Sequence, residues 1–257
     1  MAFQLDHIII AVHDLDTAMM DFRALGFTVL YGGRHASGTT HNALICFQDG
    51  SYLELLALTG DSRSDPHTAD FSGLAQGAEG IAGYALLAEK LEILIPDLRG
   101  RGAAVEDVVP GRRLRADGAE MRWLTATVAG EMSPFLIEDQ TPRTVRVPNT
   151  PEATQHANGV AGIVELEVLI AHLDEMTIAS YTKLLGISPW RRSAASATFV
   201  LQGVKLRLTP AVTPAAQVYL AKSKTSLYRL VLLGSAPQQL DPTLTHGALM
   251  QIVTEFP

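Results

Sequence analysis

Two apolar segments, each interrupted by one ionisable side chain, constrain this chain most. Leu5-Asp6-His7-Ile8-Ile9-Ile10-Ala11-Val12 sets His7 within a strand pattern, and Tyr52-Leu53-Glu54-Leu55-Leu56 sets Glu54 within another. Burying an imidazole or a carboxylate among aliphatic residues is unfavourable unless each finds a partner or a metal. His7 alternates with Ile9 and Ala11, and Glu54 with Tyr52 and Leu56, so each belongs to one face of its strand. Two such interruptions in one short module point at a shared internal site.

The module recurs. Residues 5–58 read strand, helix, strand, strand, strand. Asp14 or Asp16 caps a helix running to Leu25, with Ala18, Met19, Phe22 and Leu25 at helical spacing and Gly26 just past its end. Strand patterns follow at 27–31, 42–47 and 52–58, and Asp49-Gly50 marks a tight hairpin. Gly32-Gly33 reads as a turn. The same order returns at 83–140, with strands at 104–109, 121–128 and 134–138, and at 163–210. Residues 226–256 add two strands without a helix. The stretch 146–159 has Pro, Asn and Thr without periodicity and reads as a connection. The expected division is residues 1–148 and residues 159–257.

This order, with His7 on the first strand and Glu54 on the last, resembles the vicinal oxygen chelate superfamily. That group includes glyoxalase I, extradiol dioxygenases, methylmalonyl-CoA epimerase, and fosfomycin and bleomycin resistance proteins. Gly32-Gly33-Arg34-His35, Gly38-Thr39-Thr40-His41-Asn42-Ala43-Leu44-Ile45 and Asp49-Gly50-Ser51-Tyr52-Leu53-Glu54-Leu55 are similar to its glyoxalase-like members. The resemblance implies an α+β fold of βαβββ modules paired into half-open barrels, with a divalent metal on the inner face. It implies His7 and Glu54 as metal ligands, with Zn, Ni, Mn, Fe and Co undistinguished. It also implies a lyase or isomerase acting on a substrate with adjacent oxygens. The second module departs from the family pattern, carrying Gly83 and Leu136 where ligands belong. In the third module Glu165 and Arg207 take those positions, as charges that can pair. The alternatives are a metal-free sequestering protein and an iron dioxygenase, the latter requiring His41 to turn inward beside His7 and Glu54.

Further site candidates follow from residue type. Glu54 serves as general base if no metal binds, and Glu138 or His41 moves the proton in the metal-assisted scheme. Arg34 can clamp a carboxylate or phosphate. Asn42, Tyr52 and Trp123 complete the substrate contacts, with Trp123 as an aromatic wall. Glu165 and Glu167 share a strand face, and Arg207 can satisfy one of them. His13, His67, His156 and His172 fall in caps or loops and are read as solvated, and His246 opens the last strand.

Composition excludes several classes. The 257 residues carry 27 acidic and 20 basic side chains, a formal charge of −7, and the densest basic run is Arg112-Arg113-Leu114-Arg115. An acidic chain without a basic stripe is a poor nucleic-acid binder. No leader peptide or membrane-spanning stretch is read. The single cysteine, Cys46, excludes an internal disulfide and fits a reducing compartment, so a cytoplasmic location is expected. The expected partners are a small-molecule substrate and a second copy of the chain.

Overall fold

Side-chain alternation sorts the strands into two curved sheets, each with its apolar face turned toward helices. The computed structural model describes residues 3–35, 38–59, 79–114, 118–129, 134–222 and 226–256. The first sheet contains β1 (Gln4–Ala11), β2 (Leu30–Arg34), β3 (Thr40–Cys46), β4 (Tyr52–Leu58), β5 (Gly80–Leu87), β6 (Val109–Leu114), β7 (Glu120–Thr127) and β8 (Phe135–Asp139). Their order is β2-β3-β4-β1-β5-β8-β7-β6. β1 and β5 pair antiparallel at the centre, while β1 with β4 and β5 with β8 are parallel. Two copies of one βαβββ module are thereby joined edge to edge, the α+β half-barrel that the repeat implied. The outer strands β2 and β6 approach one another, so the sheet curls into a nearly closed barrel.

Helix α1 (Leu15–Ala24) follows β1, and α2 (Leu91–Gly100) follows β5. Asp14 caps α1 by accepting from the Thr17 N–H at 2.7 Å, and Leu15, Ala18, Met19 and Phe22 are buried. They pack with Ile8 and Ile10 of β1, Val12 just past its end, Ala43 and Ile45 of β3, and Leu53, Leu55 and Ala57 of β4. The alternate positions Ile9, Ala11 and Leu56 form a separate small cluster on the opposite, inner face. His7 and Glu54 belong to that inner face by strand alternation.

Two short helices, α3 (Arg143–Arg146) and α4 (Pro151–Thr154), lead to the second sheet. It contains β9 (Gly162–Ile170), β10 (Arg191–Arg192), β11 (Ala197–Leu201), β12 (Val204–Pro210), β13 (Leu227–Leu233), β14 (Gln238–Gln239) and β15 (Leu249–Val253), in the order β10-β11-β12-β9-β13-β15-β14. Helix α5 (Glu175–Leu185) follows β9, and α6 (Pro214–Lys222) follows β12. One apolar core continues from the first sheet into the second through Leu166, Val168, Tyr181, Phe199 and Leu206. No helix among the described residues is long and apolar enough to cross a membrane.

Several local expectations differ from what is observed. Gly32-Gly33 is not a turn but part of β2, where a register shift between Tyr31 and Gly33 absorbs the glycines. The strand expected at 104–109 reduces to one bridge, Val105 to Val128, and β6 begins at Val109 instead. Pro110 is tolerated there because β6 is an edge strand, and Arg112 and Arg113 become strand residues. The connection 146–159 is packed rather than loose: Asn158 donates from Nδ2 to the Leu25 carbonyl at 2.9 Å, and His156 is buried. β10, β14 and α6 were not anticipated, the strands being only two residues each. Arg115 and His67 lie outside the described residues.

Candidate active site

His7 pairs in register with Tyr52, and the next inward-facing positions on the same two strands, Ile9 and Glu54, pair in turn. His7 and Glu54 therefore sit diagonally on adjacent strands with both side chains inside the barrel. His7 Nε2 lies 3.4 Å from Glu54 Oε2, and both residues are buried. The Tyr52 ring stacks on the imidazole at 4.7 Å, and Phe135 meets its edge at 5.4 Å. The other oxygen, Glu54 Oε1, accepts from Asn42 Nδ2 at 2.5 Å. Asn42 Oδ1 in turn accepts from Arg113 Nη1, reaching over from β6. This chain of contacts joins the two approaching edges of the barrel.

Two glycines make room for it. A Cβ at Gly32 would lie 2.2 Å from Asn42 Oδ1 and 2.9 Å from Arg113 Nη1, and one at Gly111 would lie 2.2 Å from Trp123 Nε1. Only the missing side chains permit the Asn42–Arg113 contact and the approach of the indole. Trp123 then presents an edge to His35 at 6.5 Å. His35 Nε2 stands 3.7 Å from Glu54 Oε1, and its Nδ1 engages Thr40 Oγ1 at 2.7 Å.

Glu54 thus faces two imidazoles, one on each oxygen. Burial alone would raise its pKa, but His7, His35, the Asn42 hydrogen bond and Arg113 together hold it below the usual carboxylate value. Burial dominates at His35 and pushes its pKa down, only partly opposed by Glu54, so a neutral imidazole is favoured there. An ionised carboxylate between imidazoles, walled by Trp123, Phe135 and Tyr52, can bind a cation or accept a proton.

The connection between the sheets packs against this group. Arg146 donates to the Tyr52 hydroxyl at 2.8 Å, and Val147 packs against Leu44, Cys46 and Tyr52.

The donor set is that of a divalent-metal site in part. A separation of 3.4 Å suits an imidazole nitrogen and a carboxylate oxygen each about 2.1 Å from one cation at a roughly tetrahedral angle. Among the described residues no group of three or more His, Cys, Asp or Glu is gathered to hold a metal. On the second module the positions facing His7 and Ile9 are Ala85 and Gly83, and Ala85 pairs with Phe135. That half of the wall is apolar.

Of the residues expected at the site, the fold brings together His7, Glu54, Asn42, Tyr52 and Trp123. Three others are elsewhere. His41 pairs with Ala57 and Arg34 on the helix-bearing face, because one step along β3 from Asn42 reverses the side-chain direction. Burial and Arg34 lower its pKa there, against Asp16 and Asp14. Arg34 is exposed beside it. Glu138 shares the helix-bearing face with Leu136 and accepts from the Leu91 N–H at 2.6 Å, capping α2 where Lys90 makes no side-chain cap bond.

His156, expected in solvent, is buried between β3 and the segment after α1: Nε2 donates to the Cys46 carbonyl at 3.1 Å and Nδ1 accepts from the Thr28 N–H at 3.0 Å. In the second sheet Arg207 pairs with Glu165, and Arg229 with Glu167 at 2.6 Å.

Sequence reasoning missed Asp6, Arg113, Phe135 and Arg146, and met His35 only within the Gly32-Gly33-Arg34-His35 stretch. The Asp6-His7 dipeptide and the inward phase of Arg113 opposite Met121 were the available signals.

Paired βαβββ modules in one curled sheet, holding a buried histidine–carboxylate centre on its inner face, define a half-barrel of the vicinal oxygen chelate type. The glyoxalase-like domain model matches residues 5–185, and the chain belongs to that family. A hypothetical protein from Staphylococcus aureus has the same fold, with a TM-score of 0.77 and 15% identity over 98% of this chain and 99% of its own. A mutant 4-hydroxymandelate synthase from Streptomyces coelicolor is similar over 91% of this chain and 72% of its own, with a TM-score of 0.60 and 13% identity. A xylose isomerase-like TIM barrel/4-hydroxyphenylpyruvate dioxygenase fusion protein gives a TM-score of 0.54 and 12% identity, over 92% of this chain and 37% of its own. A search of curated proteins finds no match.

Proposed function

We propose that this chain is a small-molecule enzyme of the vicinal oxygen chelate type, a lyase or isomerase for a substrate with adjacent oxygens. The observation that carries the reading is the buried His7 Nε2–Glu54 Oε2 pair at 3.4 Å, on the inner face of a half-barrel belonging to the glyoxalase-like family. His7 and Glu54 would hold a divalent cation, with His35 Nε2 the next nitrogen within reach. Such a cation supplies Lewis acidity to the substrate oxygens. Mixed nitrogen and oxygen donors suit Zn, Fe, Co, Ni or Mn.

With His41 and Glu138 turned away, proton movement falls to His35, whose neutral imidazole stands beside the reacting region, or to Glu54 itself. Asn42 and Arg113 fix the carboxylate, while Trp123, Phe135 and Tyr52 exclude water and offer apolar surface to the substrate. In this reading residues 1–148 carry the site and residues 159–257 serve as cover or as contact to a second copy. A cytoplasmic location is in keeping with the single, buried cysteine.

The apolar second module, with Gly83, Ala85 and Phe135 where ligands would stand, favours a second reading: a metal-free protein that binds its small molecule without turnover. Thermal melting of chelator-stripped protein with each of the five metals separates the two. A cation at 100 times its Kd stabilises by about 2.7 kcal/mol, and the Glu54→Gln variant should lose that gain. Absence of any shift in the wild type supports the metal-free alternative and removes the cation from the reading.

A further inference from the structure

The outer nitrogen of His7 points away from Glu54, into a closed set of charges. Asp6 is fully buried, and its carboxylate meets four donors: His7 Nδ1 at 2.5 Å, Arg143 Nη1 at 2.6 Å, Arg146 Nη1 at 2.9 Å and Arg146 Nη2 at 2.8 Å. Consecutive strand residues ordinarily point to opposite faces. Here a register shift between Leu5 and His7 in the β1–β5 pairing lets Asp6 and His7 stand side by side.

Asp139, at the end of β8, takes further donors from the same two arginines: Arg143 Nη1 at 3.0 Å, Arg146 Nε at 2.6 Å and Arg146 Nη2 at 3.0 Å. Arg146 also holds the hydroxyl of Tyr52, whose ring lies on the imidazole. Arginine does not give up its proton in proteins, so Asp6 is locked in the acceptor-only state. A carboxylate that can only accept requires the proton of a neutral His7 to sit on Nδ1. Nε2 is then a lone pair, and it faces a second acceptor, Glu54 Oε2, at 3.4 Å. Two buried acceptors so placed repel unless a cation or a proton-bearing group joins them.

We infer that Asp6, clamped by Arg143 and Arg146 of the inter-sheet connection, is the positioning residue that fixes His7 in its Nδ1–H tautomer. His7 and Glu54 then form a two-acceptor seat for a cation or for a substrate or water hydroxyl. The inference deepens the reading of this site as a cation site, yet the tautomer itself does not depend on a metal being bound. The seat is completed from outside the βαβββ module: α3, which leads to the second sheet, supplies both guanidiniums.

The test is long-range proton–nitrogen correlation on nitrogen-15-labelled, chelator-stripped protein at neutral pH, with His7 signals assigned by their loss in His7→Gln. The wild type should show a protonated Nδ1 and an unprotonated Nε2. In Asp6→Asn the arginines claim the amide oxygen, so the amide nitrogen donates to Nδ1 and the proton moves to Nε2, as in the handed-over tautomer of a serine-protease triad whose aspartate becomes asparagine. Cobalt(II) affinity should fall about 10–100-fold in that variant.

An Nε2-protonated or doubly protonated His7 in the wild type overturns the inference, and that spectrum decides even where Asp6→Asn does not fold. The expected tautomer in a wild type that binds no cobalt(II) sustains the positioning role and removes the cation reading alone.

Discussion

Glu54 is where the cost of burial and the gain from partners are most closely balanced. Oε1 accepts from Asn42, behind which stands Arg113, and these partners hold the carboxylate ionised in spite of its burial, while Oε2 is left facing His7. Glu54→Gln keeps the shape and the Asn42 neighbourhood while removing the charge. It should abolish cation binding and turnover with little change in melting temperature, as read by calorimetric titration and thermal unfolding of the same sample. Gly111 makes the opposite kind of prediction. A methyl there would meet Trp123 Nε1 at 2.2 Å, so Gly111→Ala should cost about 1–3 kcal/mol by overpacking and displace the indole, visible as a changed tryptophan fluorescence. At this scale the sequence was readable where a polar residue interrupted an aliphatic strand, as with His7 and Glu54. It was unreadable where the partner came from far along the chain: Arg113 stands 71 residues from Asn42, and Arg146 stands 140 residues from Asp6.

At the level of elements, alternation decided which candidates reached the site. Helix α1 with its Asp14 cap, the βαβββ order and the central β1–β5 pairing follow from periodicity and capping that any reader of the chain can count. Face assignment needed strand phase to within one residue, and there two assignments reversed. His41 is one step from Asn42 and points to the helices. Glu138 keeps phase with Leu136 and caps α2. Glu138→Ala should therefore lower stability by about 1 kcal/mol, the usual cost of a lost helix cap, and leave cation affinity unchanged. Equal loss of binding and stability would return Glu138 to the site. The β6 boundary was missed because Val109-Pro110-Gly111 carries no strand alternation, and an edge strand tolerates that.

Across the whole molecule, the connection between the sheets does more than link them. His156 ties it to β3 and to Thr28, and burial holds its pKa below the ordinary histidine value despite the Cys46 carbonyl. The folded protein thus keeps His156 neutral, while the unfolded chain takes up a proton as pH falls below about 6.5. Stability from this group is fully present above that pH and declines below it, with a slope of at most about 1.4 kcal/mol per pH unit. In His156→Gln, which preserves one donor and one acceptor, unfolding free energy should fall less between pH 7.5 and pH 5.5 than in the wild type. Identical slopes would remove His156 from the account.

The second sheet offers a contrast to the first. Its inward carboxylates, Glu165 and Glu167, are already matched by Arg207 and Arg229, so they act as a structural network. Arg207→Ala should cost roughly 3 kcal/mol, because it leaves Glu165 buried without its cation, and cation binding at the first sheet should persist in whatever fraction remains folded.

Locating the cation directly tests the central claim, that the functional centre is the His7–Glu54 pair of the first sheet. Crystals grown with cobalt(II) and measured at its absorption edge should give one anomalous peak within about 2.0–2.2 Å of His7 Nε2 and of a Glu54 carboxylate oxygen. No peak at that pair in well-ordered crystals, or a peak between Glu165 and Glu167 instead, would contradict the account.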